Sequence, residues 1–166
     1  VNQPSGIIQN LYEIKFYDAT TGYAVGNYAY ILKTSTSGNS WEIKSGPGIG
    51  SQIFYSLDFA GSYVLATGTL TKYSTNGGEF WNLRDFPADA INSLTNLNER
   101  ENLYSGVGAN GYVVKTKNLD TNWTIEQSPT SQTLYSVCYP GSSNYIWAVG
   151  AGGKILKNIP NWKYIF

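Results

Sequence analysis

Hydrophobic and polar residues alternate in short runs along this chain, and the runs recur in the same order four times. The runs that open the four copies are residues 11–16, 54–59, 91–96 and 134–139. In each copy a second run ends on glycine, a third ends on lysine and a fourth begins with tryptophan. Period-two alternation in runs rich in β-branched and aromatic residues predicts β-strands, so each copy predicts four strands.

The tryptophans give the length of the repeat. Trp41, Trp81, Trp123 and Trp162 are separated by 40, 42 and 39 residues. A repeat of about 40 residues is the length of one four-stranded propeller blade. The sequence therefore predicts an all-β chain, a β-propeller domain over residues 1–166 with four repeats, at 8–46, 53–86, 90–129 and 133–166.

The third repeat offers an alternative secondary structure. Ile91, Leu94 and Leu97 lie three residues apart behind Asp89, a residue type that caps helices. Alignment with the other three copies favours a strand in this segment.

Composition excludes several classes of partner. Charged residues make up 13% of the chain and the formal net charge is zero. A surface that binds phosphate needs a clustered excess of Lys and Arg, so no nucleic-acid partner is expected. No stretch approaches the run of about 18 apolar residues that spans a bilayer, and no signal peptide is recognised, so no membrane insertion is expected.

The same composition favours one kind of source. Low charge with many Tyr, Asn, Ser, Thr and Gly residues favours an extracytoplasmic bacterial protein: secreted, at the cell surface or periplasmic. Because the sequence begins at Val1 instead of Met, we expect a mature chain or a piece of a longer protein.

Reactive residue types are few. The single cysteine, Cys138, excludes an internal disulfide, and we expect a buried or half-buried structural thiol in the strand between Val137 and Tyr139. The absence of histidine removes the commonest general base and the commonest zinc ligand. We therefore predict no catalytic residue, no metal site and no cofactor.

A turn of recognisable chemistry precedes the tryptophans. Residues 74–81 read Ser-Thr-Asn-Gly-Gly-Glu-Phe-Trp, and residues 34–41 read Thr-Ser-Thr-Ser-Gly-Asn-Ser-Trp. A short hydroxyl or amide side chain can fold back onto turn amides, while Gly38 or Gly78 accepts a left-handed backbone. Residues 116–123 and 157–162 keep less of this pattern.

This turn resembles the Asp-box, also called the bacterial neuraminidase repeat. The resemblance implies a structural role, in which the tryptophan of each copy is an apolar plug between sheets. The residues it assigns to structure are Trp41, Trp81, Trp123, Trp162, Gly38 and Gly78. The turns hold too few carboxylates for a calcium site.

The wider repeat resembles the propellers of the photosystem II stability/assembly factor type. The resembling motif begins at residues 11–26, which read Leu-Tyr-Glu-Ile-Lys-Phe-Tyr-Asp-Ala-Thr-Thr-Gly-Tyr-Ala-Val-Gly. It continues with Ile-Leu-Lys-Thr at 31–34 and with Trp41. Residues 146–157 keep Ile-Trp-Ala-Val-Gly-Ala-Gly-Gly-Lys-Ile-Leu-Lys. The resemblance covers residues 8–166 and implies binding of a partner protein.

Propellers of that family have more blades than this chain has repeats. Three arrangements therefore stay open: a small closed ring, part of a longer chain, or a half-ring completed by a second copy. Propellers are built from about four to eight blades, a range that permits the closed ring.

Enzyme chemistry finds little support in the residues. A sialidase clamps its substrate with three arginines, and this chain holds only Arg84 and Arg100. A glycosidase needs two facing carboxylates, and we assign Asp18 and Asp58 to a turn and a strand edge instead. The recurring lysines are expected to share one blade position with their heads in solvent; they are Lys33, Lys72, Lys115 and Lys157.

A binding surface is the better hypothesis. In a propeller, the turns between second and third strands share one face with the connections between blades. The residues predicted to form this face are Asn27, Tyr28, Tyr30, Asn110 and Tyr112. Tyrosine supplies contact area at low entropy cost, although packing against neighbouring blades is an alternative role for these three tyrosines. We predict a non-catalytic binding or assembly module with a protein partner, with glycan binding or glycan hydrolysis as alternatives.

Overall fold

The structure, a computed structural model, describes residues 3–47, 50–84, 94–100, 103–117, 119, 123–140, 145–159 and 161–164, with the backbone alone for 94–100, 103, 159 and 161–164. The chain divides into two compact units, Val1–Arg84 and Asp85–Phe166. Each unit contains two antiparallel four-stranded sheets, in which the order of the strands follows the chain.

The first unit holds sheets 1 and 2. Sheet 1 consists of β1 (Leu11–Phe16), β2 (Gly22–Gly26), β3 (Ile31–Thr34) and β4 (Glu42–Ser45). Sheet 2 consists of β5 (Phe54–Ala60), β6 (Tyr63–Gly68), β7 (Thr71–Ser74) and β8 (Asn82–Leu83).

The second unit holds sheets 3 and 4. Sheet 3 consists of β9 (Leu94–Arg100), β10 (Leu103–Gly108), β11 (Tyr112–Thr116) and β12 (Thr124–Gln127). Sheet 4 consists of β13 (Leu134–Cys138), β14 (Ile146–Gly150), β15 (Lys154–Ile159) and β16 (Asn161–Tyr164).

The predicted all-β class with one four-stranded sheet per repeat is confirmed. β1, β5 and β13 begin at the first residue of the runs that the alternation indicates. In the third repeat residues 94–98 lie in β9 and are strand instead of helix. Residues 89–93, the start of the alternative helix, lie outside the described residues.

Sheets 1 and 2 pack face to face. The face that sheet 1 uses is the opposite of the face that sheet 2 uses, when equivalent strands are compared. Tyr23, Val25 and Ile31 of sheet 1 form a buried core with Leu57 and Ala66 of sheet 2. We call the face of a sheet that holds Val25 and Ile31, or the residues equivalent to them, its trailing face. The face that holds Leu57 and Ala66, or the residues equivalent to them, is its leading face. Burial of these apolar side chains is the main stabilisation between the two sheets.

Sheets 3 and 4 repeat this arrangement. Val107 and Val113 on the trailing face of sheet 3 form a core with Val137 and Ala148 on the leading face of sheet 4. The strand registers are equivalent, since Val25 pairs with Ile31 as Val107 pairs with Val113. Likewise Leu57 pairs with Ala66 as Val137 pairs with Ala148.

Cys138 is exposed, which corrects the expectation of a buried or half-buried thiol. Successive residues of a strand point to opposite faces. Val137 therefore faces the core with sheet 3, and Cys138 points to the trailing face of sheet 4.

The recurring lysines do not all share one position. Lys33 pairs with Tyr23, whereas Lys72 pairs with Ala66, one residue out of step. Lys72 therefore points to the leading face of sheet 2, where its Nζ donates to Ser45 Oγ at 2.7 Å and burial lowers its pKa. Lys33 is not in solvent either, because its Nζ donates to the Gly77 carbonyl at 2.6 Å.

The helical segments in the described part of the chain are two short 3₁₀ turns, Ala109–Gly111 and Ala151–Gly153. None of the described residues forms a helix long and apolar enough to cross a membrane.

Candidate functional site

The β2–β3 turn carries three of the predicted binding residues. Tyr28 and Ala29 have φ values of 57° and 56°, and the Tyr30 amide donates to the Asn27 carbonyl at 3.2 Å. Positive φ at both central residues is the geometry of a type I′ hairpin turn, which strongly favours Asn-Gly. Here the chain holds Tyr-Ala in that geometry.

The equivalent turns of the second unit use the expected residues. Asn110 and Gly111 have φ values of 56° and 69°, and Gly152 and Gly153 have φ values of 66° and 70°. The left-handed region costs an ordinary residue about 1–2 kcal/mol, while glycine and asparagine enter it readily. The first turn therefore carries a backbone cost that the other two avoid.

The side chains of this first turn divide into packed and exposed. Ala29 is buried in the core between sheets 1 and 2. Tyr30 is half-buried, and its ring lies so close to Gly46 that a Cβ there would be 2.6 Å from Cδ1. Tyr28 is 46% exposed, so packing does not account for its ring.

Two amide side chains lie at the base of the same turn. Asn27 forms a β-bridge with Ile53, and the Gln52 carbonyl accepts from the Ala29 amide at 3.0 Å. Asn27 Oδ1 and Gln52 Oε1 are buried and accept no hydrogen bond from the described residues. A buried acceptor without a donor costs free energy, so a donor from water or ligand would stabilise this turn.

Asn110 and Tyr112 lie on the equivalent turn of the second unit. Asn110 is exposed, and its carbonyl accepts from Gln127 Nε2 at 2.9 Å. Tyr112 is half-buried and pairs with Gln127 in the sheet. The five predicted residues thus form a group of three in one unit and a group of two in the other.

The turns before Trp41 and Trp81 lie at the opposite end of sheets 1 and 2, which we call the box rim. Ser74 Oγ accepts from the Gly78 amide at 2.8 Å, and Asn76 Oδ1 accepts from the Phe80 amide at 3.1 Å. In the other turn Thr34 Oγ1 accepts from the Gly38 amide at 3.0 Å. Gly38 and Gly78 have φ values of 82° and 75°, so glycine is favoured at both positions.

The tryptophans differ in what they contact. Trp81 is half-buried against the core between sheets 1 and 2, and its Nε1 donates to the Gly78 carbonyl at 2.9 Å. Trp41 is half-buried and meets the Phe16 ring edge-on at 6.2 Å. Trp123 is half-buried directly before β12, and Trp162 lies within β16.

A cleft of about 270 Å³ opens at the box rim between sheets 1 and 2. Tyr17, Asp18, Tyr23, Lys33 and Gly77 line it, together with Thr21, Gly61, Ser62 and Val64. The Tyr23 hydroxyl donates to the Gly77 carbonyl at 2.8 Å, and burial raises the pKa of Tyr23 to about 12. No sequence pattern predicts this cleft, because its walls come from two different repeats.

Asp18 occupies a turn beside the cleft, as expected. Its Oδ1 accepts from the Thr20 hydroxyl and from the amides of Thr20 and Thr21, each at 2.7 Å. These hydrogen bonds lower the pKa of Asp18 to about 2. The carboxylate is therefore ionised at neutral pH and has a structural function in the turn.

The other described carboxylates bind cations or backbone amides. Asp58, on the edge strand β5, forms a salt bridge with Lys15. Glu79 bridges Lys33 and Lys44, and Glu126 binds Lys115 at 2.8 Å. These ion pairs hold the carboxylate side chains of Asp58, Glu79 and Glu126 to lysines of the sheets.

Glu13 is the one described carboxylate whose pKa is raised, mainly because it is buried. It accepts a hydrogen bond from the Leu57 amide, and the nearby charge of Asp58 raises its pKa further. β5 is an edge strand with outward-pointing amides, so Glu13 satisfies a backbone donor between the sheets. Among the described residues, no three His, Cys, Asp or Glu side chains cluster as a metal site.

Comparison with known proteins identifies the fold. No protein-family model matches the sequence, and no curated protein matches it. YCF48 from Cyanidioschyzon merolae matches with a TM-score of 0.74 and 19% identity over 97% of this chain. YCF48 bound to D1 peptide matches with a TM-score of 0.64 and 17% identity over 98% of this chain.

An enzyme shares the same architecture. The GH74 enzyme of Niastella koreensis matches with a TM-score of 0.66 and 13% identity over 93% of this chain. This chain spans 57% of the Cyanidioschyzon merolae YCF48 chain, 68% of the peptide-bound YCF48 chain and 30% of the GH74 chain. At these identities the similarity shows the fold, a β-propeller architecture.

Proposed function

We propose that this chain is a non-catalytic binding module whose β2–β3 turn contacts a peptide segment of a partner protein. The backbone conformation and the exposure of Tyr28 are the main support for this proposal. Tyr28 occupies a left-handed position at which Asn or Gly is favoured, yet 46% of the residue is exposed. Strained residues with no packing role concentrate at functional sites.

The chemistry of the turn suits a peptide. An exposed tyrosine offers a flat apolar surface and a hydroxyl, the combination that is enriched in binding hot spots. At the base of the same turn, Asn27 Oδ1 and Gln52 Oε1 are buried acceptors without a donor among the described residues, and a bound water would satisfy them. YCF48, which has a similar fold, has been seen with a bound D1 peptide, and this supports peptide binding as the class of activity.

Panning a phage-displayed random peptide library on the immobilised protein tests the proposal. We expect selected peptides to bind the wild type and to lose at least about tenfold in affinity, or about 1.4 kcal/mol, on Tyr28→Asn. Tyr28→Asn installs the residue that Asn110 provides in the third repeat, so the turn should stay intact.

Two variants serve as controls. Ala29→Gly relaxes the neighbouring φ but keeps the Tyr28 ring, and it should keep peptide affinity. Phe80→Ser removes an aromatic ring that is exposed on the box rim, and it should also keep affinity. Peptides that bind Tyr28→Asn as well as the wild type would show that the β2–β3 turn is not the site.

Carbohydrate binding and glycan hydrolysis are the other outcomes of the test. Wild-type binding on a glycan array that is lost in Tyr28→Asn, with no selected peptide, would indicate a lectin. Release of reducing sugar from a glycan that is lost in Glu13→Gln would indicate a hydrolase, and the GH74 neighbour shows that an enzyme can have a similar fold.

We also propose an extracytoplasmic location, for which the low content of charged residues is the support. Fractionation of the source cells with an antibody to the chain tests this. Recovery with the cytoplasmic fraction would rule the location out.

A further inference from the structure

Sheet 4 exposes an apolar face whose equivalents are buried in sheets 1 and 3. Val149 pairs with Ile155 as Val25 pairs with Ile31. Val25 and Ile31 are 0% exposed under sheet 2, whereas Val149 and Ile155 are each 43% exposed. The trailing face of sheet 4 therefore has the composition of a covered surface and is open.

Sheet 1 exposes apolar side chains of its edge strand β1 on the leading face. Ile14 pairs with Ala24 as Leu57 pairs with Ala66, so Ile14 and Leu57 hold the same position on a leading face. Leu57 is fully buried against sheet 1, but Ile14 is 59% exposed, and Phe16 nearby is 43% exposed. Ala24 and Leu32, at the middle strands of the same face, are buried.

We propose that a second copy of this chain packs the leading face of its sheet 1 against the trailing face of sheet 4. The contact would repeat the one already formed between sheets 1 and 2. There the Phe59 ring lies 5.4 Å from the Tyr23 ring. Phe16 takes the position of Phe59, and Trp147 takes that of Tyr23, since Trp147 pairs with Lys157 as Tyr23 pairs with Lys33.

Polar contacts can be repeated in the same way. Lys33 Nζ lies 5.8 Å from the centre of the Tyr23 ring and donates to the carbonyl of Gly77 in the following repeat. Lys157 Nζ lies 5.2 Å from the centre of the Trp147 ring. The counterpart of Gly77 in the first repeat is Ser37, which shares its left-handed backbone. Lys157 of one copy therefore donates to the Ser37 carbonyl of the other.

Each copy has one face of each kind that the proposed contact needs. The contact uses the leading face of sheet 1 from one copy and the trailing face of sheet 4 from the other, and each copy carries both faces. Head-to-tail contacts close into rings when the rotation allows, and propellers contain up to about eight blades. Two copies supply eight sheets.

Light scattering across a concentration series tests the association. We expect the wild type to reach twice its 18.3 kDa mass. Val149→Asp and Ile14→Asp should each be monomeric, because each buries a charge in a contact that needs apolar surface. Phe80→Asp places the same charge on an aromatic residue of the box rim and should keep the association.

Mixing the two monomeric variants tests which faces meet. Val149→Asp keeps an intact leading face and Ile14→Asp keeps an intact trailing face, so the mixture should form a heterodimer. An unchanged circular dichroism spectrum and a cooperative thermal transition will show that each variant is folded. A monomeric wild type, or a mixture that stays monomeric beside a dimeric wild type, overturns the proposal. These outcomes do not depend on peptide binding at Tyr28.

Discussion

Gly26 lies against the carbonyl oxygen of Asn10, so closely that a Cβ on Gly26 would be 2.0 Å from that oxygen. The same carbonyl accepts the Asn27 amide at 3.0 Å. Gly68 with Ile53, and Gly150 with Thr133, repeat the arrangement, with built Cβ distances of 1.9 and 2.5 Å. Glycine is therefore required at the end of the second strand in these repeats, because the backbone that leads into the first strand leaves no room for a Cβ.

Replacing Gly26 with alanine should lower the free energy of unfolding by at least about 3 kcal/mol, because the clash is with backbone that cannot easily move. Chemical denaturation measures the loss. Gly61→Ala is the matched control, since Gly61 has a φ of 59° and open space around it, and it should lose only about 1–2 kcal/mol from strain. Equal losses in the two variants would show that the Asn10 carbonyl is not the cause.

Tyr28→Asn should raise the free energy of unfolding by about 1 kcal/mol, because asparagine tolerates the left-handed backbone better than tyrosine. Urea denaturation checks the change. The reciprocal variant Asn110→Tyr places tyrosine in the same backbone geometry, with a φ of 56°, and should lose stability. A gain in both variants, or a loss in both, would contradict this account of the turn.

Tyr23→Phe should lower the free energy of unfolding by about 1 kcal/mol, because it removes the hydrogen bond to the Gly77 carbonyl and leaves the packing in place. That bond ties sheet 1 to the turn at 74–81 of sheet 2. Tyr17→Phe removes a hydroxyl from an exposed ring in the same cleft, and thermal unfolding should show no loss for it. A Tyr23→Phe variant as stable as the wild type would refute the contribution of the bond.

The free energy of unfolding should fall in acid because Glu79 becomes protonated. Lys33 and Lys44 hold its pKa at about 2, below the ordinary value of 4.5. A carboxyl with a lowered folded pKa contributes stability above the unfolded value, and that contribution is lost as pH falls from 4.5 towards 2. The side chain is 45% exposed, so solvent screening limits its contribution to about 1 kcal/mol or less.

Glu79→Gln checks this effect through unfolding curves at a series of pH values. The difference in stability between wild type and variant should be largest above pH 4.5 and should shrink towards pH 2. Glu13 works in the opposite direction, because burial raises its pKa, but its effect cancels in the difference. A difference that does not change with pH would contradict the assigned pKa.

Much of the fold follows from local chemistry. The alternation places the starts of β1, β5 and β13, and the hydroxyl-glycine pattern identifies the turns at 34–41 and 74–81. These features depend on residues close together in the chain, so their sequence signals are complete. The out-of-step position of Lys72 escapes prediction because the second repeat has a shorter second turn, which shifts the register by one residue.

The candidate site is predictable only in part. Residue type and place in the repeat point to Tyr28, but the features that distinguish it from Tyr30 are backbone φ and exposure. The cleft at the box rim has no sequence signature, since Tyr17 and Gly77 come from different repeats. Contacts between distant segments leave no local pattern to detect.

The repeat, its strands and the turns that join them follow from the amino-acid sequence alone. Which strand faces are covered depends instead on how the sheets pack. Ala-Val-Gly and Ile-Leu-Lys occur in both the first and fourth repeats, yet Val25 is buried and Val149 is exposed. Local sequence dictates which way a side chain points from its sheet, whereas its burial depends on whether another sheet packs there.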